Sequence, residues 1–216
     1  MKKILLPIIV TIALFAASCK SSKNDPTPSS SDSYLPIASG STWTYKDVYN
    51  GTTANLTIKM TGATAVFNGK TYYTATGISD KKGTTTGYFY VGNHFYSTRG
   101  SNAAVGLTVE LQLGNDNEAV GYSWTTAPTD NGSVNSFPAK TINIIKEKGI
   151  TKTINGNTFN DVIHTQIDLQ YDLGGGFESF AIYDVYLAKG VGMVQLDTHI
   201  YDTLFESETI TGYTIK

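Results

Sequence analysis

The chain is poor in the residues that most often announce chemistry. One cysteine, Cys19, stands in 216 residues, so no internal disulfide can form and no Cys-x-x-Cys metal or redox site exists. One arginine, Arg99, leaves no basic patch interleaved with aromatics, and nucleic acid is excluded as a partner. The three histidines, His94, His164 and His199, never fall at a metal-ligand spacing such as His-x-x-x-His, so no metal is expected. No window of the mature chain carries a 3.6-residue apolar stripe, which removes amphipathic helices and the crossovers of a parallel sheet. Long apolar runs are also missing beyond Ile4 to Phe15, which is too short for a comfortable membrane span of ~20 residues.

That single run has a meaning of its own. Met1-Lys2-Lys3, the apolar stretch and small residues Ala16, Ala17 and Ser18 form the three parts of a secretory signal, residues 1–18. Ala16-Ala17-Ser18-Cys19 resembles the lipobox of bacterial lipoproteins, although the usual leucine at position 16 is replaced. The resemblance implies that Cys19 is acylated and becomes the first residue of the mature protein. Acylation disposes of a thiol that would be a liability in an oxidising compartment. Several acyl chains, at ~0.8 kcal/mol per buried CH₂, anchor a protein stably to a membrane.

Residues 19–33 continue as a polar linker rich in Ser, Pro, Asp and Lys, without core-forming residues. Lys20 and Ser21 follow the cysteine, so the inner-membrane retention aspartate is absent and the resemblance implies the outer membrane. The face of that membrane is left open. Removing residues 1–18 leaves 14 basic against 18 acidic residues, a mildly acidic mature chain.

What remains, residues 34–216, reads as one antiparallel β domain. Fourteen Tyr and nine Phe sit among Thr, Ile and Val, with 21 Gly available for turns. Alternation is clean in 54–60 (Ala54, Leu56, Ile58, Met60 on one face), in 107–113 (Leu107, Val109, Leu111, Leu113) and in 163–173. Asn50-Gly51, Asn68-Gly69 and Asn155-Gly156 are hairpin dipeptides, because both central residues of a type I′ turn need positive φ. The expected fold is all-β: a single strongly twisted antiparallel sheet of roughly a dozen strands, forming a barrel or half-barrel. "FNGKTYY" (67–73) and "INGNTFN" (154–160) echo each other through shared turn chemistry.

Two segments carry a wider likeness. "YLPIASGSTWTYK" (34–46) and "YLAKGVGMVQL" (186–196) resemble the opening and closing motifs of a broad set of uncharacterised Bacteroidota cell-envelope lipoproteins. The motifs are structural: Gly190 and Gly192 for a tight bend, Trp43 and Tyr45 for core volume. The resemblance implies a β-rich barrel or half-barrel, akin to periplasmic lipoprotein carriers, and no reaction.

The search for catalysis ends without a constellation. "GYSWT" (121–125) lacks the second glycine of a nucleophile elbow. His164 and Asp168 are four residues apart on one strand, ~13 Å at ~3.3 Å per residue, too far to touch. Asp168, Asp172, Glu178 and Asp184 lie on adjacent strands, as solvated strand-face charges do. Convergence of His164 or His199 with two carboxylates in one cleft would reopen the question.

The aromatics stand out instead. Tyr72, Tyr88, Tyr90 and Tyr96 share one sequence parity, while Tyr73, Phe89 and Phe95 take the other. One set is expected in the core; the other, for which Tyr72, Tyr88, Tyr90 and Tyr96 are the candidate ligand-binding residues, is a platform for sugar rings, the wall of an apolar cavity, or simple cross-strand pairing. Asp202-Thr203-Leu204 resembles a Bacteroidota O-glycosylation signal with Thr203 as acceptor. The sequence therefore points to a lipid-anchored, non-catalytic binding protein without a cofactor, its ligand a hydrophobic molecule or a glycan. The rivals are a structural lipoprotein that docks another envelope protein, and a hydrolase with an unrecognised site.

Overall fold

The computed structural model describes residues 31–102 and 107–216, so the leader and Cys19 lie outside the described residues. Thirteen strands follow in order: β1 Thr42–Tyr49, β2 Thr52–Phe67, β3 Lys70–Ser79, β4 Gly83–Gly92, β5 Phe95–Asn102, β6 Leu107–Asn115, β7 Ser123–Thr126, β8 Ser133–Val134, β9 Phe137–Ile154, β10 Asn157–Asp172, β11 Phe177–Ala188, β12 Gly192–Ile200 and β13 Thr203–Thr214. No described residue is helical.

Every strand pair is antiparallel, in the order β6-β5-β4-β3-β2-β1-β13-β12-β11-β10-β9-β7, with the short β8 on β9. The first and last strands of the domain, β1 and β13, thus meet in the middle of the sheet. Its two outer limbs curl until β6 packs across on β9, β10 and β11. The free edge of β6 is partly covered by the segment after β7, where the Glu110 N–H donates to the Pro128 carbonyl at 2.8 Å. The expected half-barrel is what forms, nearly closed by side chains and one loop.

Turn chemistry sets the register. Asn50, Asn68 and Asn155 have φ of 44°, 49° and 50°, each followed by a glycine at 76° to 80°, as type I′ hairpins demand. The two halves of the internal echo, Phe67↔Lys70 and Ile154↔Asn157, close equivalent hairpins.

The chain enters at one end of the half-barrel and plugs it. Ser33 is 2 % exposed, and its carbonyl accepts a hydrogen bond from Gly190 N at 2.8 Å. The buried Tyr34 donates its hydroxyl to Asp161 Oδ1 at 2.6 Å. Ser33, the last residue of the polar linker, is thus packed into the domain. Gly190 and Gly192 bend with φ of 72° and 106°, and a Cβ on Gly192 would lie 3.3 Å from Trp43 Nε1. That indole donates to the Val191 carbonyl at 2.6 Å, and Tyr45 OH donates to the Met193 carbonyl at 2.8 Å. The closing motif is thus the seat on which the opening motif rests.

Two apolar clusters fill the interior. Trp43, Tyr45, Met60, Val162, Val194 and Ile210 belong to one; Leu35, Tyr96, Leu113, Ile145, Ile163 and Leu187 belong to the other. Adjacent residues Val162 and Ile163 serve different clusters, because bulges in β10 against β9 break the two-residue alternation there.

Candidate functional site

The interior is not filled along its whole length. Beside the plug lies a cavity of about 180 Å³, lined by Leu35, Trp43, Leu56, Phe89, Leu113, Met193 and neighbours, almost all apolar. It adjoins a more open chamber of about 520 Å³ that shares Leu56, Ile58, Phe89, Thr98 and Glu208 with it. The open chamber is of the order found in small-molecule sites, and the inner cavity extends it.

The reason for the opening is a patch of missing side chains. Ala75 on β3 pairs with Gly87 on β4, which pairs with Gly100 on β5. Gly77, two residues along β3, also lines the chamber. A Cβ on Gly87 or Gly100 would meet nothing within 4 Å, and neither glycine has a positive φ. Backbone conformation therefore does not require glycine at these positions. Glycine in a strand interior loses packing and costs conformational entropy, and a close approach by a ligand is one of the contexts that accommodates it.

The chamber opens towards the end opposite the plug, where the β3–β4 turn lies. Asp47 on β1 faces Glu208 on β13, and Glu206 is two residues further along that strand. Carboxylate oxygens of all three lie within 4.8 Å of one another. Lys82, from the turn, sits among them, its Nζ 2.8 Å from Asp47 Oδ2 and 2.6 Å from Glu206 Oε1. Burial works against the Lys82 charge, but its hydrogen bonds to Asp47 and Glu206 win, and its pKa is raised. Glu208 is pushed up to about 8, first by desolvation and then by the Glu206 and Asp47 charges, against the smaller opposing pull of Lys82. At neutral pH it is therefore mostly a protonated acid facing the cavity.

The four tyrosines picked out by parity separate. Tyr72, Tyr88 and Tyr90 lie on the outer side of the sheet. Tyr72 is 1 % exposed, packs against Phe67 and Tyr90, and donates to Glu110 Oε2 at 2.7 Å. Tyr88 packs edge-on to Phe67. Tyr96, expected with them, faces inward: the two-residue Asn93-His94 turn pairs Val91 with Tyr96 and so reverses sequence parity across the hairpin. It is 1 % exposed and hydrogen-bonded to Asp116. Phe95 changes sides for the same reason and packs on Trp124. The inward set is Tyr73, Phe89, Val91 and Tyr96, packed with the two clusters.

Outside, a polar recess of about 250 Å³ is framed by Asn68, Lys70, Arg99, Glu110 and Asp130. Arg99, 5 % exposed, forms a bidentate pair with Asp130 at 2.8 and 2.6 Å. The hydrogen bond from Arg99, joined by one from Asn68, holds the Asp130 carboxyl below its usual range. Thr203 is exposed at the start of β13.

The histidines do converge with acids. His164 Nδ1 is 3.0 Å from Glu147 Oε2, its Nε2 is 2.8 Å from Asp184 Oδ1, and His199 Nδ1 is 3.8 Å from Asp184 Oδ2. Both ring nitrogens of His164 are occupied and its ring is stacked on Tyr186 at 4.2 Å, so neither nitrogen is left for a substrate. Asp168 bonds Gln170 and Ser179 instead, and Asp172 caps the glycine turn through Gly174 and Gly176.

Sequence reasoning offered an apolar cavity walled by aromatics, and missed its glycine floor and its carboxyl group. The signal lay in the inward parity of Gly77, Gly87 and Gly100 on three successive strands, and in Glu208 on the same side of β13 as Ile210.

No protein-family model and no curated protein matches the chain. Among solved structures, a putative lipoprotein from Parabacteroides distasonis ATCC 8503 superposes with a TM-score of 0.50 at 13 % identity. The match covers 85 % of this chain and 99 % of that one, and shows a shared fold.

Proposed function

We propose that this chain is a lipid-anchored protein of the bacterial cell envelope whose half-barrel binds an apolar ligand, without catalysis. The glycine-floored cavity carries the reading. Apolar surface left uncovered along three strands forgoes ~25 cal/mol per Å² of burial, which an apolar ligand lying over it would recover. The anchor follows from the lipobox-like Ala16-Ala17-Ser18-Cys19, with Lys20 and Ser21 favouring the outer membrane. A structural neighbour described as a lipoprotein supports the same setting.

Native mass spectrometry of the mature chain, residues 19–216 with Cys19→Ser, tests the cavity reading. A lipid-sized mass released on activation is expected. An apo mass, with no uptake of an added neutral alkyl probe, would sink it.

One observation favours a second reading, docking of another envelope protein. Leu173, Phe177 and Tyr201 are 68 %, 41 % and 73 % exposed, and Phe180 packs on Tyr201 at 5.7 Å. They gather at turns on the end of the sheet where the cavity opens. Crosslinking from position 173 or 201 in intact envelopes, giving one discrete protein adduct, would support that reading. Adducts to lipid alone would count against it.

A further inference from the structure

The mouth of the cavity gathers acidic side chains around a single lysine. The inference drawn from it rests on the apolar-cavity reading and concerns which molecules enter. Three carboxyl groups, Asp47, Glu206 and Glu208, meet there against one ammonium, that of Lys82. Two of them are underused. Asp47 is 1 % exposed and its Oδ1 has no hydrogen-bond partner. Glu208 lines both chambers, and among the described residues its carboxyl makes no hydrogen bond to the protein. Buried acceptors without partners are costly, and a donor supplied by a ligand would relieve that cost.

We propose that the cavity selects single-chain amphiphiles with a cationic head, of the alkylammonium class, and rejects carboxylate-headed chains of the same length. The alkyl chain lies over the glycine floor against Leu56, Ile58 and Phe89. Its head sits at the acids, donating to Glu208 and to the free oxygen of Asp47. Lys82 comes from a turn and its side chain is 45 % exposed, so it can swing into solvent and give up its place. A carboxylate head would face the Asp47 and Glu206 charges, while Lys82 is held by these two acids and Arg99, which also borders the chamber, is paired with Asp130. Glu208 gives its proton to solvent when the ammonium arrives, which balances the added charge.

The test is displacement of the neutral probe N-phenyl-1-naphthylamine from the mature Cys19→Ser chain at pH 7, below micellar concentrations. Dodecylammonium, dodecanol and dodecanoate are the competitors. Dodecylammonium is expected to compete at least about tenfold better than dodecanoate, a factor equivalent to ~1.4 kcal/mol. Glu206→Gln with Glu208→Gln should bring the two within about threefold while dodecanol is unaffected. Lys82→Gln should strengthen dodecylammonium alone, which keeps the idea testable if the paired acid variant fails to fold. Dodecanoate competing as well as dodecylammonium would overturn the selectivity and leave the cavity reading standing. Failure of all three chains, with no probe uptake, would overturn both.

Discussion

The two faces of strands β3 to β5 are built on opposite principles. The outer face is crowded: Phe67, Tyr72, Tyr88 and Tyr90 pack ring against ring, and Arg99 lies over Phe67 at 4.7 Å while clamped to Asp130. The inner face is bare where Gly87 and Gly100 stand, and the apolar residues around them border space. Aromatic richness is thus spent on holding the sheet, and the candidate site lies where side chains are missing. In a β-sheet protein the residues that catch the eye and the residues that make room need not coincide.

The largest expected effect breaks the comparison by filling the bare face. Gly87→Val with Gly100→Val should abolish uptake of a neutral alkyl probe, a loss of more than about tenfold, with unfolding stability equal or higher. Valine suits strands better than glycine, on a scale spanning ~1 kcal/mol, and both sites have open space for a Cβ. Probe titration beside urea unfolding would show it, and unchanged uptake would move the site elsewhere.

The outer face should respond the other way round. Arg99→Met is expected to cost about 2–4 kcal/mol in urea unfolding, since it leaves Glu110 and Tyr72 facing a lost charge partner and frees Asp130. Probe affinity per folded molecule should stay within about twofold.

Glu208→Gln gives a smaller effect that depends on pH. The folded-state pKa of about 8 lies above the ordinary glutamate value, so between those limits the folded chain holds a proton that the unfolded chain releases. Stability contributed by the protonated acid is present at low pH and declines as pH rises towards 8. The Gln variant should flatten that decline by roughly 1–3 kcal/mol, the partial exposure of the side chain keeping it below the full shift. Melting curves at pH 5 and pH 8.5 decide it, and parallel curves would contradict it. Smallest of all, Tyr88→Phe should change stability by less than about 0.5 kcal/mol and leave probe uptake alone.

The sequence made the fold legible because β architecture writes itself in local signals. Alternation fixed which residues of β2 face inward, and three Asn-Gly pairs fixed where chains reverse. Placing Tyr96 with Tyr88 and Tyr90 went wrong for a local reason too: a two-residue turn pairs even positions with odd ones, so parity does not carry through it. The site itself was less legible. Glu208 meets Asp47 only because β13 returns beside β1, a pairing about 160 residues distant that no local pattern specifies. Likewise His164 met Glu147 and Asp184 from neighbouring strands, not Asp168 on its own.

The plug at the closed end gives the molecule a mechanical property. A pull on the N-terminus would be borne first by the Gly190–Ser33 hydrogen bond and the Tyr34–Asp161 contact. Leu35 follows directly and forms part of the cavity wall, with Pro36 beside it. A force on this segment is therefore delivered to the wall of the inner cavity, and withdrawing it would strip Leu35 and Pro36 from that wall.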